Sequence, residues 1–278
     1  MISRRELGLA GLAGLLGVQA VPATAASAGD TPVTDAPAHD MSQMPPGWMG
    51  QEQIAIVLYP QFTALDIVGP HHMFTSLMGA KVHLVAASLD PVVSDTGLTL
   101  MPNATFETCP ADLDILCIGG GSTGTLAAME DPALIGFLKD RGGRAKWVTS
   151  VCTGSLVLGA AGLLKGYRAT SHWATHDLLG LFGALPTEGR IVTDRNRVTG
   201  GGVTAGIDMG LAIVGMLRDR TYAEGVQLLA EYDPQPPYDS GSLAKATPEV
   251  RALMTSMFDG FHAEAKAVAE RTGAAWRQ

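Results

Sequence analysis

The sequence of 278 residues has few cysteines, few aromatic residues and no hydrophobic run long enough to span a membrane. Three cysteines are too few for a disulfide scaffold, and no pair of histidines or cysteines has the spacing of a zinc site. Acidic residues outnumber basic ones by 27 to 19. The net charge of −8 gives no general attraction to nucleic acid or to anionic lipid. These absences favour chemistry on a small molecule without a metal.

The first 28 residues have the pattern of a twin-arginine signal peptide. Arg4 and Arg5 precede a short apolar run at residues 8–21, and small residues that suit cleavage follow it. The run is shorter than the ~20 residues that a membrane-spanning helix needs. We therefore expect export to the periplasm or beyond, with no stable membrane insertion after cleavage.

Residues 29–51 are rich in alanine, proline, aspartate and methionine, and they show neither a helical nor a strand period. This composition predicts a flexible linker. His39, Met41, Met44 and Met49 contain groups that can bind copper, but their spacing is loose and the linker interpretation is favoured.

Strand and helix signals alternate from about residue 52 to residue 278, which predicts one domain. Short apolar runs indicate strands that are buried on both faces of a parallel sheet. Alternation of this kind, with short connections, predicts an α/β fold: a doubly wound, mostly parallel sheet flanked by helices, as in flavodoxin-like proteins. The predicted strands are 54–58, 81–87, 114–118, 146–151, 168–171 and pieces of 190–199, with short hairpin pieces in 91–106. The predicted helices are 65–78, 132–141, 153–164, 204–218, 222–231 and 248–270.

Cys152 follows a predicted strand directly and precedes a predicted helix. This pattern is typical of a nucleophile elbow, which exposes one side chain above the carboxyl edge of the sheet. We expect the helix N-terminus to lower the pKa of the Cys152 thiol and to favour the thiolate. Cys117 lies in the middle of a strand and is expected to be a buried, inert residue.

Two further segments end at the same edge of the predicted sheet. The glycine run 119–121 can offer backbone N–H groups to a developing anion, or it can serve only as a tight turn. Asp66 is the lone carboxylate of an apolar stretch, and partial burial would raise its pKa toward a useful range. The alternative role of Asp66 is to stabilise a helix N-terminus. His172 also follows a short strand and is an alternative base or a substrate-binding residue.

Several motifs occur in the order found in one known family. They are residues 64–70, 119–121, 151–155, 169–173 and 201–208, followed by the tail 231–242. On these motifs the chain resembles the ThiJ/PfpI superfamily, which is related to class I glutamine amidotransferases, and within it the isonitrile hydratase branch. The resemblance covers roughly residues 53–245.

The resemblance implies a set of site residues. Cys152 would be the nucleophile, Asp66 its acidic partner and Thr153 a neighbouring hydroxyl. The N–H groups of Gly121 and Thr153 would bind an anion, and Gly120 would shape the loop. Thr153 stands where the protease-like branch has histidine, which argues against peptide hydrolysis. The resemblance also implies a homodimer, and the implied reaction requires no cofactor.

The implied reaction adds water to an isonitrile through a thioimidate on Cys152 and gives an N-substituted formamide. Alternatives within the superfamily are a glyoxalase or deglycase activity, a ligand-sensing module and a thiol that responds to oxidative stress. Cys109 and Cys117 can be free or can pair with each other, and we expect all three cysteines to be free thiols.

Overall fold

The computed structural model describes residues 44–276. The predicted signal peptide, with Arg4 and Arg5, and most of the predicted linker, with His39 and Met41, lie outside the described residues. No described helix is both long enough and apolar enough to cross a membrane.

A seven-stranded sheet forms the centre of the domain, with the strand order β10-β11-β7-β6-β1-β2-β5. All of its neighbouring strands are parallel except β10, which runs antiparallel to β11. The strands are β1 Gln53–Val57, β2 Lys81–Ala86, β3 Val92–Val93, β4 Thr99–Leu100, β5 Ala104–Thr105, β6 Ile115–Ile118, β7 Trp147–Val151, β8 Arg168–Ala169, β9 Leu185–Pro186, β10 Ile191–Asp194 and β11 Arg197–Gly200. Strands β3 and β4 form a separate hairpin, and β8 pairs with β9.

Helices cover both faces of the sheet. Helices α1, α5 and α6 pack together on one face, and α2, α3, α4 and α7 pack on the other. The helices are α1 Ala64–Thr75, α2 Thr123–Glu130, α3 Pro132–Arg144, α4 Gly154–Ala160, α5 Ala205–Leu217, α6 Arg220–Leu229 and α7 Pro248–Thr272, with short 3₁₀ helices at His176–Phe182 and Ala274–Trp276. The predicted α/β class, with a doubly wound and mostly parallel sheet, is confirmed.

The hydrophobic core explains why the central strands were predictable. Residues 54–57 of β1 and 115–118 of β6 have no solvent exposure. Strands buried on both faces must be apolar at every position, and their sequences are continuous apolar runs. In the register of the sheet, Val57 lies beside Ile118 and Ile118 beside Ser150. The carboxyl ends of β1, β6 and β7 are therefore level with one another.

The helices differ from the predictions in one additional helix and in several of their ends, most clearly that of α4. Helix α2 was not predicted, because it follows the glycine run directly and its small residues give no clear apolar period. Helix α4 ends at Ala160 instead of near residue 164. Gly162 has a φ of +74°, and this left-handed conformation terminates the helix.

Residues 44–51, which were predicted to belong to the linker, contact the domain. The ring of Trp48 lies 5.0 Å from the ring of Tyr222, edge to face. The Trp48 indole N–H donates to Asp219 (2.8 Å), and the Gly50 N–H donates to the carbonyl of Met78 (2.8 Å). The folded part of the chain therefore extends upstream of residue 52.

A buried ion pair fastens this N-terminal segment to the end of α5. Arg218 donates to both carboxylate oxygens of Glu52, at 2.6 and 2.9 Å, and to the carbonyls of Trp48 and Met78. The side chains of Arg218 and Glu52 are only 3% and 13% exposed. The hydrogen bond from Arg218 holds the pKa of Glu52 below its usual range. One guanidinium thus satisfies the Glu52 carboxylate and two backbone carbonyls, and it joins the N-terminal segment, the residues after α1 and the end of α5.

Arg218→Met should lower the free energy of unfolding by about 3 kcal/mol, because it leaves the Glu52 carboxylate buried without a partner. Urea denaturation would measure the change. Arg220→Met is the matched control, since the ion pair of Arg220 with Glu224 is exposed to solvent, and its stability should equal that of the wild type. Equal stability of both variants would contradict the role assigned to Arg218.

Candidate active site

Cys152 lies at a sharp turn between β7 and α4. Its φ of +59° is left-handed, which is rare for a residue with a side chain and requires support from its surroundings. The Cys152 N–H donates to the carbonyl of Gly200 (3.1 Å), and its carbonyl accepts from the hydroxyl of Ser171 (3.0 Å). The backbone therefore has the elbow geometry that the sequence pattern predicts.

The glycine run packs directly against this elbow. A Cβ atom on Gly154 would lie 2.6 Å from the carbonyl oxygen of Ile118 and 2.7 Å from that of Gly119, and one on Gly120 would overlap Thr153. Both distances are far inside van der Waals contact. Glycine at these two positions lets the loop after β6 touch the start of α4, and this contact brings the predicted site residues together.

Asp66, in the first turn of α1, is fully buried beneath this loop. Its Oδ2 atom accepts a hydrogen bond from the N–H of Gly120 (2.7 Å), whereas no described N–H or O–H group pairs with its Oδ1 atom. The Cys152 thiol interacts with the same carboxyl. Burial raises the pKa of Asp66 to about 7, and the Gly120 hydrogen bond opposes that rise. The prediction that burial raises the pKa of this carboxyl agrees with the structure.

The prediction that the elbow lowers the pKa of the Cys152 thiol is wrong. Burial, and secondly the charge of Asp66, raise the thiol pKa well above its usual value of 9.0. The N–H of Thr153 opposes this rise but is outweighed. The thiol is only 6% exposed, so the loss of solvation exceeds what the start of a seven-residue helix supplies. At neutral pH the proton of the thiol therefore resides mainly on sulfur.

Thr153 is bound to the glycine run through its side chain. Its hydroxyl oxygen accepts from the N–H of Gly121 (3.0 Å) and lies 2.8 Å from both the carbonyl of Gly121 and the hydroxyl of Thr125. This arrangement corrects the expectation that the Gly121 N–H is free to bind an anion. The N–H of Gly120 is likewise taken, by Asp66. Of the donors predicted for an anion, the Thr153 N–H is the one directed at the Cys152 sulfur.

Sequence reasoning missed Tyr59, which supports the glycine run from below. Its buried hydroxyl donates to the carbonyl of Gly119 (2.8 Å) and lies 3.3 Å from the hydroxyl of Thr125. Burial raises the pKa of Tyr59 far above its usual value, so it acts as a neutral hydrogen-bonding group. The signal in the sequence was a single tyrosine directly after the apolar run of β1.

His172 takes part in a separate aromatic cluster. Its Nδ1 atom accepts from the N–H of Ala174 (3.3 Å), and its ring lies 5.3 Å from Trp173 and 5.6 Å from Phe258. Burial lowers the pKa of His172, which favours the neutral ring. The hydrogen bonds and ring contacts described for His172 involve neither Cys152 nor Asp66. The thiol and the carboxyl thus form the acid–base pair without an imidazole.

The other two cysteines, Cys109 and Cys117, are free thiols like Cys152, and all three are buried. Burial raises the pKa of Cys117 to about 12 and also raises that of Cys109. Within residues 44–276, no group of three or more histidine, cysteine, aspartate or glutamate side chains is arranged to hold a metal ion. The titratable groups that this site brings together are therefore the Cys152 thiol and the Asp66 carboxyl.

An α/β sheet with a cysteine elbow and a buried carboxyl at its carboxyl edge defines a class of cysteine-dependent proteins. The model of the DJ-1/PfpI family matches residues 52–216, and the chain belongs to this family.

Relatives within the family include enzymes. The chain is 52% identical to the isonitrile hydratase of Pseudomonas putida over 190 residues. The aligned region covers 68% of this chain and 82% of that enzyme. It is 26% identical to a deglycase from Thermococcus kodakarensis over 148 residues, and this aligned region covers 53% of this chain and 88% of the relative. Among solved structures, a ThiJ/PfpI family protein from Pseudomonas syringae has a TM-score of 0.80 and 57% identity, covering 84% of this chain and 96% of that chain.

Asp66→Asn should increase the rate at which iodoacetamide alkylates Cys152 at pH 8 severalfold. The substitution removes the negative charge that raises the thiol pKa, so more of the thiol ionises at that pH. Mass spectrometry of the Cys152 peptide would measure the rate, and the Cys109 peptide of the same sample would serve as the internal control. An unchanged or slower reaction of Cys152 would contradict the coupling between thiol and carboxyl.

Proposed function

We propose that this protein hydrates isonitriles to N-substituted formamides, with Cys152 as the nucleophile. The observation that carries the proposal is the buried pair of Cys152 and Asp66, which can exchange one proton without a metal or an imidazole. The 52% identity to the Pseudomonas putida isonitrile hydratase supports it. As the resemblance implies, the reaction needs no cofactor.

The first step forms a thioimidate. The terminal carbon of an isonitrile, R–N≡C, can accept both a nucleophile and a proton. The ionised carboxyl of Asp66 takes the proton from the Cys152 thiol as the sulfur attacks this carbon. Asp66 then donates the proton to the same carbon, which gives R–N=CH–S–Cys152. A carboxyl with a pKa of about 7 can both accept and return a proton near neutral pH.

The second step adds water and restores the thiol. Asp66 takes a proton from water as the water oxygen attacks the thioimidate carbon, and it passes this proton to the substrate nitrogen. The tetrahedral species R–NH–CH(OH)–S–Cys152 then breaks its carbon–sulfur bond. The hydroxyl proton returns to sulfur, and the product R–NH–CHO leaves. The two steps consume one water molecule, leave the oxidation state of the substrate carbon unchanged and need no other reactant.

The charges around the pair favour a neutral substrate. The charged group that acts on Asp66 from outside the pair is another carboxylate, Asp95, and no lysine or arginine is among the described residues that shift the pKa of Asp66 or Cys152. A substrate carrying a phosphate or carboxylate at the reacting end would meet like charge here. Isonitriles carry no net charge.

Cys152→Ala should reduce kcat/KM for cyclohexyl isocyanide by about 10³-fold or more, because no other group can form the thioimidate. Formation of N-cyclohexylformamide, followed by mass spectrometry, would measure it. Cys109→Ala is the matched control and should retain wild-type activity. If Cys152→Ala retains activity, the role of Cys152 is refuted. If the wild type turns over methylglyoxal in preference to isonitriles, the proposed reaction is wrong and a glyoxalase or deglycase reaction replaces it.

We also propose that the protein acts as a homodimer through the outer face of α1 and α5. These helices pack together and leave Leu65, Val68 and Met216 exposed by 39%, 42% and 45%. Leu65 and Val68 lie one turn apart at the start of α1, and Met216 lies near the end of α5. Exposed apolar side chains on paired helices favour association with a second apolar surface.

Val68→Asp should convert the dimer to a monomer, because it places a charge within the proposed apolar interface. Sedimentation velocity would report the mass. Leu89→Asp is the matched control, since Leu89 is 55% exposed in the turn after β2, and it should stay dimeric. A monomeric wild type, or a dimeric Val68→Asp variant, would refute this interface.

A further inference from the structure

The hairpin of β3 and β4 is fastened to the loop between β1 and α1, which leads to Asp66. The Gln61 N–H donates to the carbonyl of Val93 (2.8 Å), and the Asp95 N–H donates to the carbonyl of Phe62 (2.9 Å). A third link joins side chains, because the Thr63 hydroxyl donates to Oδ2 of Asp95 at 2.6 Å. Three hydrogen bonds thus fix the turn of this hairpin beside the site.

Thr63 connects Asp95 to Asp66 and to the glycine run 119–121. It is the N-cap residue of α1, but its side chain makes no capping hydrogen bond because its hydroxyl is given to Asp95. The Thr63 N–H donates to the carbonyl of Gly120 (2.8 Å), and its carbonyl accepts from the N–H of Asp66 (3.1 Å). A hydrogen bond to a carboxylate is stronger than one between neutral groups. Asp95 therefore anchors the residue that aligns Asp66 with the glycine run.

The turn itself does not require the carboxylate of Asp95. Ser94 closes the turn, since its N–H donates to the carbonyl of Leu98 (2.8 Å) and its hydroxyl accepts from the N–H of Leu98 (2.9 Å). The side chain of Asp95 is left to face Thr63. The turn does not need the Asp95 carboxylate, which instead accepts a hydrogen bond from the N-cap residue of α1. This contact indicates a role in the site.

Asp95 also contributes charge. The titratable groups that face Asp66 are Cys152 from the elbow, Tyr59 from the end of β1, Cys117 from β6 and Asp95 from the hairpin. Burial is the main cause of the raised pKa of Asp66, and the negative charge of Asp95 adds to it. Of these neighbours, Asp95 is the one that is exposed at the surface.

We propose that Asp95 is a positioning residue for Asp66: it fixes the loop before α1 through Thr63, and it places a negative charge beside the carboxyl that carries the proton. The inference rests on the proposed function for its catalytic readout. The reactivity of the Cys152 thiol gives a second readout that needs no substrate.

Two variants separate the charge of Asp95 from its hydrogen bond. Asp95→Asn removes the charge but keeps an oxygen that can accept from Thr63. With the negative charge gone, Asp66 ionises more easily, so its pKa falls and the acid limb of the pH profile moves to lower pH. Thr63→Val keeps the charge and removes the bond, and kcat/KM should fall by about tenfold. Asp90→Asn, which removes a charge in the turn before the hairpin, is the matched control.

The measurement is the rate of Cys152 alkylation by iodoacetamide against pH, followed by kcat/KM against pH for cyclohexyl isocyanide. We expect the acid limb of the kcat/KM profile to shift to lower pH in Asp95→Asn. We expect Cys152 alkylation near pH 6 to be slower than in the wild type, because Asp66 is then more fully ionised and its charge raises the thiol pKa. Both profiles should stay in place in Asp90→Asn. Circular dichroism would confirm that each variant is folded. The inference fails if the Asp95→Asn profiles coincide with wild type, or if Asp90→Asn shifts them equally. Absence of isonitrile hydration in the wild type would refute the proposed function alone, because the alkylation profile still tests Asp95.

Discussion

The site depends on one interaction, between the buried carboxyl of Asp66 and the thiol of Cys152. Each group makes ionisation of the other harder, and burial disfavours both charged forms. At neutral pH the thiol keeps its proton while the carboxyl, with a pKa of about 7, exchanges its own, and the two groups titrate as a coupled unit. The level ends of β1, β6 and β7, the glycines that permit close contact and the left-handed Cys152 all serve to bring these two groups together.

A buried carboxyl needs support from the fold, and here the backbone supplies it. The Gly120 N–H donates to Asp66, and Gly120 is itself held because its carbonyl accepts from Thr63 and its neighbour Gly121 is bound by Thr153. The hydroxyls of Tyr59 and Thr125 extend this network beneath the loop. Cooperative networks of this kind are stiff, which keeps the carboxyl at a constant distance from the sulfur through both steps of a reaction.

Much of the fold and the identity of the central pair could be predicted from sequence, because both leave local signals. Continuous apolar runs revealed β1, β6 and β7, and a cysteine between a strand and a helix revealed the elbow. The thiol pKa could not be predicted from the helix N-terminus, since burial and Asp66 act through space. The hydrogen bond that occupies the Gly121 N–H and the contact of Asp95 with Thr63 could not be predicted either, because both join residues that are far apart in sequence. Thr153 lies 32 residues from Gly121, and Asp95 lies 32 residues from Thr63.

The family contains relatives described as hydratase and deglycase, so the fold alone does not select a reaction. Selection must come from charge near the sulfur. In this chain the groups outside the pair that shift its pKa values are the backbone N–H groups of Gly120 and Thr153, the Thr153 hydroxyl and a second carboxylate, Asp95, and none is a cation. A thiolate formed there has no cation to stabilise it, so attack by the sulfur and return of the proton to the substrate must be closely coupled. An isonitrile carbon accepts both the sulfur and the proton, whereas a carbonyl takes the sulfur at carbon and the proton at oxygen, so the two reactions need the protonated Asp66 carboxyl directed at different atoms.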